Sequence, residues 1–125
     1  MDMLYYIYIG SNRVTIDHLS KIAGGMFMAV SSCNKAAKVI DGIRERYNTS
    51  ILYEESTPQK DSQNITFLHK RFPRVYIILI TEGLQKEHRK LYLQAGVNNT
   101  LSPMASEESL LQMVKFLRLR KEHKL

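Results

Sequence analysis

The stretch VYIILI, Val75–Ile80, decides the fold class of this chain. All of its residues are apolar or aromatic, and Pro73 before it and Thr81 after it limit it to the length of a strand. A strand without polar alternation is typical of a parallel sheet in which helices cover both faces. We therefore predict that Val75–Ile80 is a buried strand in the middle of a parallel sheet.

Strand-like and helix-like segments alternate on both sides of this stretch. The other predicted strands are Leu4–Gly10, Met26–Ser32, Ser50–Glu54 and the polar segment 97–102. The predicted helices are 14–23, 34–47 with Asn34 as its N-cap, 64–72 after a polar loop 55–63, 84–96, and 106–125. Right-handed crossovers convert this order into an α/β fold, a five-stranded parallel sheet with helices on both sides.

Length and composition predict one domain over residues 1–125, because 125 residues with 44% hydrophobic content can bury a core. No run reaches the roughly 18 to 20 apolar residues of a membrane-spanning helix, and the N-terminus lacks the features of a signal peptide. We expect a soluble, cytoplasmic protein, in agreement with its single cysteine, Cys33. The last segment is still helical in composition at Leu125, which indicates an N-terminal part of a longer protein.

The net charge of +6 makes an anionic partner a candidate. The last predicted helix has an apolar face, formed by Leu110, Leu111, Val114 and Leu117, and a basic C-terminal end. Its cations permit two interpretations. The favoured one is a solvated helix face. The other is a patch that binds nucleic acid or an anionic membrane through Arg118, Arg120 and Lys121.

Two carboxylates follow the third predicted strand in SILYEESTPQ, Ser50–Gln59. Neighbouring residues of a strand point to opposite sides, so Glu54 and Glu55 are not expected to act as one acid/base pair. The sequence also lacks a glycine-rich phosphate loop, a nucleophile elbow and a zinc motif. These observations favour a protein that is not an enzyme.

Three motifs together resemble the receiver domain of bacterial two-component response regulators. They are VYIILIT, Val75–Thr81; AGVNNTLSP, Ala95–Pro103; and Pro58, which fits the proline four residues after the phosphorylated aspartate. The similarity extends over nearly the whole chain. It implies a CheY-like, flavodoxin-like (βα)5 doubly wound fold with strand order 2-1-3-4-5, and it places Glu54 at the phosphoacceptor position.

The resemblance also implies that most of the phosphorylation residues are replaced. The acidic pair that holds Mg²⁺ falls on Gly10 and Ser11, followed by Asn12, and none of these is a carboxylate. Because a hard divalent cation prefers charged oxygen ligands, we expect weak or absent Mg²⁺ binding and no other cofactor. The phosphate-pairing lysine is replaced by Ser102, and the switch aromatic by Thr100.

One element of the family's switch has a match, since Thr81 falls on the hydroxyl that contacts the phosphate. The same threonine fits equally well as an ordinary turn residue at a strand end. Glu54 likewise has two interpretations. Its carboxylate either imitates a phosphoryl group with a permanent charge or is a relic of a lost acceptor.

We therefore expect a degenerate pseudo-receiver, a regulatory module that acts through protein contacts without phosphorylation. The resemblance implies a protein partner, a fused effector domain or a second copy bound at the face of the fourth helix, fifth strand and last helix. One alternative is a functional phosphoacceptor with an atypical site. The other is the N-terminal regulatory domain of a larger DNA-binding protein or membrane-associated enzyme.

Overall fold

The computed structural model describes residues 3–123, and the side chains of residues 3–120. Five strands form one parallel sheet in the order β2-β1-β3-β4-β5. The strands are β1 (Tyr5–Ile9), β2 (Met26–Val30), β3 (Thr49–Glu54), β4 (Tyr76–Ile80) and β5 (Asn99–Leu101). The predicted α/β class and strand order are both confirmed.

Five α-helices connect the strands and cover both faces of the sheet. They are α1 (Arg13–Ala23), α2 (Cys33–Asp41), α3 (Pro58–Arg71), α4 (Lys86–Ala95) and α5 (Glu107–His123). Helices α2, α3 and α4 pack on one face in a cluster that includes Ile40, Leu68 and Tyr92. Helices α1 and α5 pack on the other, with Leu19 and Leu117. No described helix has the length and apolarity needed to span a membrane.

The stretch that decided the fold class forms an interior strand, as predicted. β4 pairs with β3 on one side and β5 on the other, and Ile77, Ile78, Leu79 and Ile80 are all buried. Alternate residues enter the two apolar clusters, which explains the absence of polar alternation. The register pairs Glu54 with Ile80, so the two strands end side by side.

The second predicted helix is wrong at both ends. Ser32, not Asn34, is the N-cap, because its hydroxyl accepts a hydrogen bond from the Lys35 N–H. The helix ends at Asp41, before Gly42, and a short 3-10 helix at Arg46–Asn48 leads into β3. Glycine in this position stops the helix that apolar periodicity alone extended to residue 47.

The third helix begins at Pro58, six residues before the predicted start at residue 64. Proline is favoured in the first helical turn, since its missing N–H has no intrahelical acceptor there. The segment looked like a polar loop because its one buried residue in the first turn is the carboxylate Asp61. In the last helix, Leu110, Val114 and Leu117 are buried as predicted, whereas Leu111 is exposed.

Candidate functional site

The Glu54 carboxylate is bound by groups at the start of α1. The backbone N–H of Ser11 donates to Glu54 Oε2 at 2.8 Å, and that of Asn12 donates to Oε1 at 3.1 Å. The Tyr8 hydroxyl adds a third hydrogen bond to Oε1 at 3.3 Å. Asn12 also caps α1 by accepting from the Thr15 N–H. The protein's own carboxylate thus occupies the anion-favouring N-terminus of a helix.

Gly10 makes room for this carboxylate. Its φ is +155°, and a Cβ built on it would lie 2.1 Å from Glu54 Oε2. A side chain at position 10 would therefore collide with Glu54 and would also strain the backbone. In this chain Gly10 and Glu54 fit together as a pair, and the space beside the end of β1 is filled by the glutamate.

Glu55 serves a different neighbour. Thr81 Oγ1 donates to Glu55 Oε1 at 2.7 Å and accepts from the Gly83 N–H at 3.1 Å. Thr81 is buried, and its N–H donates to the Leu101 carbonyl. The two adjacent carboxylates therefore bind different groups, and the Thr81 hydroxyl is bound to Glu55 and not to Glu54. They do not point to opposite sides as strand alternation predicted, because β3 ends at Glu54 and both carboxylates line the same cleft.

A cleft of about 280 Å³ at this edge of the sheet brings part of the predicted site together. Asn12, Glu54 and Thr81 line it with two further carboxylates, Glu55 and Glu82, and no lysine or arginine is among its lining residues. Such a cleft is electrostatically unfavourable for a phosphate. The structure places Ser102 and Thr100 outside it, where both are exposed and line the grooves that flank β5.

Tyr8 is a site residue that the sequence did not reveal. Burial raises the pKa of its phenol, and the neighbouring Glu54 charge raises it further, so the hydroxyl stays a hydrogen-bond donor at neutral pH. The only signal was a tyrosine near the end of an apolar strand. That pattern is equally typical of a core aromatic.

Asp61 is the second residue that the sequence did not reveal. It is 1% exposed, and its carboxylate accepts hydrogen bonds from the hydroxyls of Tyr53 and Tyr92 and from the Ser56 N–H. Asn64 donates to the Tyr53 hydroxyl at 2.9 Å. This network fixes the loop after β3, which carries Glu55, to α3 and α4.

Within the side chains that the structure describes, the two arginines near the end of α5 differ in exposure. Arg120 is 7% exposed, and its guanidinium donates to the carbonyls of Tyr47 and Arg74 and lies over the rings of Tyr47 and Tyr76. Arg118 is exposed, and the side chain of Lys121 lies outside the described residues. We therefore restrict the anion-binding hypothesis to Arg118 and Lys121.

Comparison with models of protein families finds no match, and no curated protein matches the sequence. Solved structures do match. A CheY-like response regulator receiver domain protein from Methanospirillum hungatei superposes with a TM-score of 0.80 and 15% identity over 99% of this chain and 100% of that one. This chain has the CheY-like receiver fold.

Two further receiver-fold structures are similar to the same degree. A CheY-like protein, TadZ, from Pseudomonas aeruginosa has a TM-score of 0.79 at 13% identity, with 94% of each chain covered. The signal receiver domain of an HD domain-containing protein from Pseudomonas fluorescens has a TM-score of 0.80 at 13% identity, covering 98% of this chain and 91% of that one.

The residues at the strand ends do not fit the Mg²⁺ that the receiver fold implies. Gly10 has no side chain to offer, and the backbone N–H groups of Ser11 and Asn12 point at Glu54 as donors, where a cation needs oxygen acceptors. Within residues 3–120, no group of three or more acidic, histidine or cysteine side chains could hold a metal ion.

Proposed function

We propose that this protein is a receiver-like regulatory module that works without phosphorylation and acts through protein contacts. The observation that carries the proposal is the Glu54 carboxylate. The resemblance assigns Glu54 to the phosphoacceptor position, and its carboxylate accepts three hydrogen bonds from Ser11, Asn12 and Tyr8. A carboxylate bound in this way is a poor nucleophile toward a phosphodonor, because these donors stabilise its charged ground state.

Charge balance supports the same proposal. Phosphoryl transfer needs cations at the transferred group, and the cleft between Glu54 and Thr81 is lined by three carboxylates and no cation. A second cleft, on the side of Glu54 that faces Gly10, has one lysine, Lys60, among its lining residues. Ser102, which the resemblance assigns to the position of the family's lysine, is exposed and lines neither cleft. We also propose that Mg²⁺ binding is weak, since the positions of the metal ligands hold Gly10, Ser11 and Asn12.

The surface we propose for partner binding is the face of α4, β5 and α5. A groove of about 590 Å³ runs between β5 and α5, with Met104, Met113 and Phe116 among its lining. Met104 and Phe116 are exposed, as are Leu93 on α4 and Leu111 on α5. Exposed apolar groups beside a short edge strand suit a protein partner, either a separate chain or a fused effector domain.

The test is incubation of the protein with Mg²⁺ and acetyl phosphate, followed by intact mass measurement, and with Mg²⁺ and beryllofluoride, followed by backbone amide NMR. We expect no mass increase and no shifts of the Ser11, Asn12 and Thr81 amides. A receiver domain with its full set of acidic residues serves as the positive control. A stoichiometric phosphoryl adduct on Glu54 would overturn the proposal.

A Glu54→Gln variant identifies the acceptor if an adduct does form. An adduct on the wild type that is lost in the variant would show that the chain is a phosphoacceptor with an atypical site. An adduct retained by the variant would place the modification elsewhere and would leave the Glu54 pocket inert.

A further inference from the structure

We propose that a second copy of this chain pairs with the open edge of β2, so that two sheets join antiparallel across a two-fold axis at Met28. This goes beyond the proposed function, because β2 and the α4, β5 and α5 face lie at opposite ends of the sheet. Self-association at one edge therefore leaves the other free for a partner.

The first observation is that β2 is an edge strand without the usual protection. It is five residues long, pairs with β1 alone, and runs in continuous register with no bulge. It contains no charge and no proline, and no charged residue occurs between Lys21 and Lys35. Natural edge strands are normally shortened, charged or bulged, since an unpaired edge is a template for another strand.

The opposite edge strand, β5, is protected against pairing with another strand. β5 has three residues, and its Thr100 N–H donates to the side chain of Asn99 at 2.8 Å. The edge at β5 is therefore short, and one of its backbone N–H groups already has a hydrogen-bond acceptor in the same chain. The contrast indicates that β2 is left open for a strand.

The direction of the backbone groups defines the pairing. The Met26 N–H donates to the Leu4 carbonyl, and the Val30 carbonyl accepts from the Gly10 N–H, so these residues face β1. Because direction alternates along a strand, the N–H and C=O groups of Phe27 and Ala29 point outward. In an antiparallel pair centred on Met28, Phe27 lies opposite Ala29 of the second copy, and each such pair exchanges two hydrogen bonds.

The side chains are self-complementary in this arrangement. Met26 and Met28 are 50% and 44% exposed, and they share a sheet face with Val30, which packs against the α2 side. Across the axis, Met28 meets its own copy and Met26 meets Val30, which buries both methionines. On the other face the large Phe27 is opposite the small Ala29. A two-fold interface requires this kind of match of a surface with itself.

The decisive variant is Met28→Lys, which places two like charges opposite each other on the axis. We expect sedimentation velocity to show a concentration-dependent monomer–dimer equilibrium for the wild type and monomer alone for Met28→Lys. Phe67→Lys, at an apolar residue of α3 that is 42% exposed, is the matched control and should dimerise like the wild type. A wild type that stays monomeric overturns the proposal. So does a dimer that is kept in Met28→Lys and lost in Met104→Lys, on the face of α4, β5 and α5.

A cross-linking experiment tests the register independently of affinity. At a non-hydrogen-bonded antiparallel position the two Cα atoms lie about 4.5 Å apart, which is within disulfide range. In a Cys33→Ser background, Met28→Cys should form a disulfide-linked dimer under mild oxidation, and Met104→Cys should not. Equal cross-linking of both variants, or of neither, contradicts pairing at β2. Circular dichroism of each variant confirms that the fold is retained.

Discussion

At the scale of single residues, polar side chains at the strand ends are satisfied from within the protein. Glu54 accepts hydrogen bonds from the backbone N–H groups just before α1, and Glu55 accepts one from the hydroxyl of Thr81. Asp61 accepts hydrogen bonds from two tyrosine hydroxyls and a backbone N–H. The carboxyl edge of the sheet is thus held in one arrangement by hydrogen-bonded carboxylates.

Because Asp61 accepts these three hydrogen bonds, we predict that replacing it destabilises the protein strongly. Asp61→Ala should lower the free energy of unfolding by about 3 kcal/mol, because it leaves the Tyr92 hydroxyl and the Ser56 N–H without acceptors and removes one from Tyr53. Urea denaturation measures the change. Asp17→Ala, at an exposed carboxylate on α1, should alter stability by less than about 0.5 kcal/mol. Similar losses in both variants would contradict the role given to Asp61.

At the scale of elements, Arg120 connects α5 to the segments that precede β3 and β4. Its guanidinium reaches the carbonyls of Tyr47 and Arg74 and lies against two tyrosine rings. One side chain therefore attaches the last helix to two loops far away in the sequence. Its planar fork makes this possible, since lysine cannot direct several donors in one plane.

We predict that Arg120→Lys is nearly as damaging as Arg120→Ala. Both should lower the free energy of unfolding by about 2 to 3 kcal/mol, because the hydrogen bonds to the two carbonyls are lost or weakened. Arg118→Ala, at the exposed arginine two residues earlier, should change it by less than about 0.5 kcal/mol. If Arg120→Lys retains wild-type stability in urea, charge alone accounts for the contact and the fork geometry is unnecessary.

At the scale of the whole molecule, both faces of the sheet bury tyrosine hydroxyls. Burial is the largest cause that raises the pKa of Tyr6, Tyr8, Tyr53, Tyr76 and Tyr92, and it raises that of Tyr6 to about 12. The folded protein therefore keeps the protons of these tyrosine hydroxyls at a pH near 10, where the unfolded chain releases them. Stability is complete below that pH and is lost as the pH rises toward and beyond 12.

This predicts alkaline unfolding linked to tyrosine ionisation. In a pH titration, the tyrosinate absorbance of these five residues should appear together with the loss of far-ultraviolet circular dichroism, above the pH at which free tyrosine ionises. Tyr6→Phe should delay the transition, because it removes one buried hydroxyl that has no hydrogen-bond partner among the described residues. Ionisation of all the tyrosines near pH 10 with an intact fold would contradict the linkage.

The sequence by itself determined the α/β class, because uninterrupted apolar strands such as Val75–Ile80 require helices on both faces. Local pattern also located the five strands and the five α-helices, but it misplaced both ends of α2 and missed the 3-10 helix Arg46–Asn48. It also misplaced the start of α3, since a buried Asp61 looks like part of a loop. That metal ligands and a lysine are replaced follows from the resemblance and stays a prediction. These features depend on neighbours in the chain.

Only the tertiary structure decided what the charged groups do. Glu54 meets Ser11 and Asn12, and Arg120 meets Tyr47 and Arg74, across more than forty residues of sequence in every case. The right-handed crossovers bring these residues together, and no local pattern encodes which carboxylate receives which donor. The open edge of β2 is equally a property of the assembled sheet, because a strand becomes an edge only when the order of the others is set.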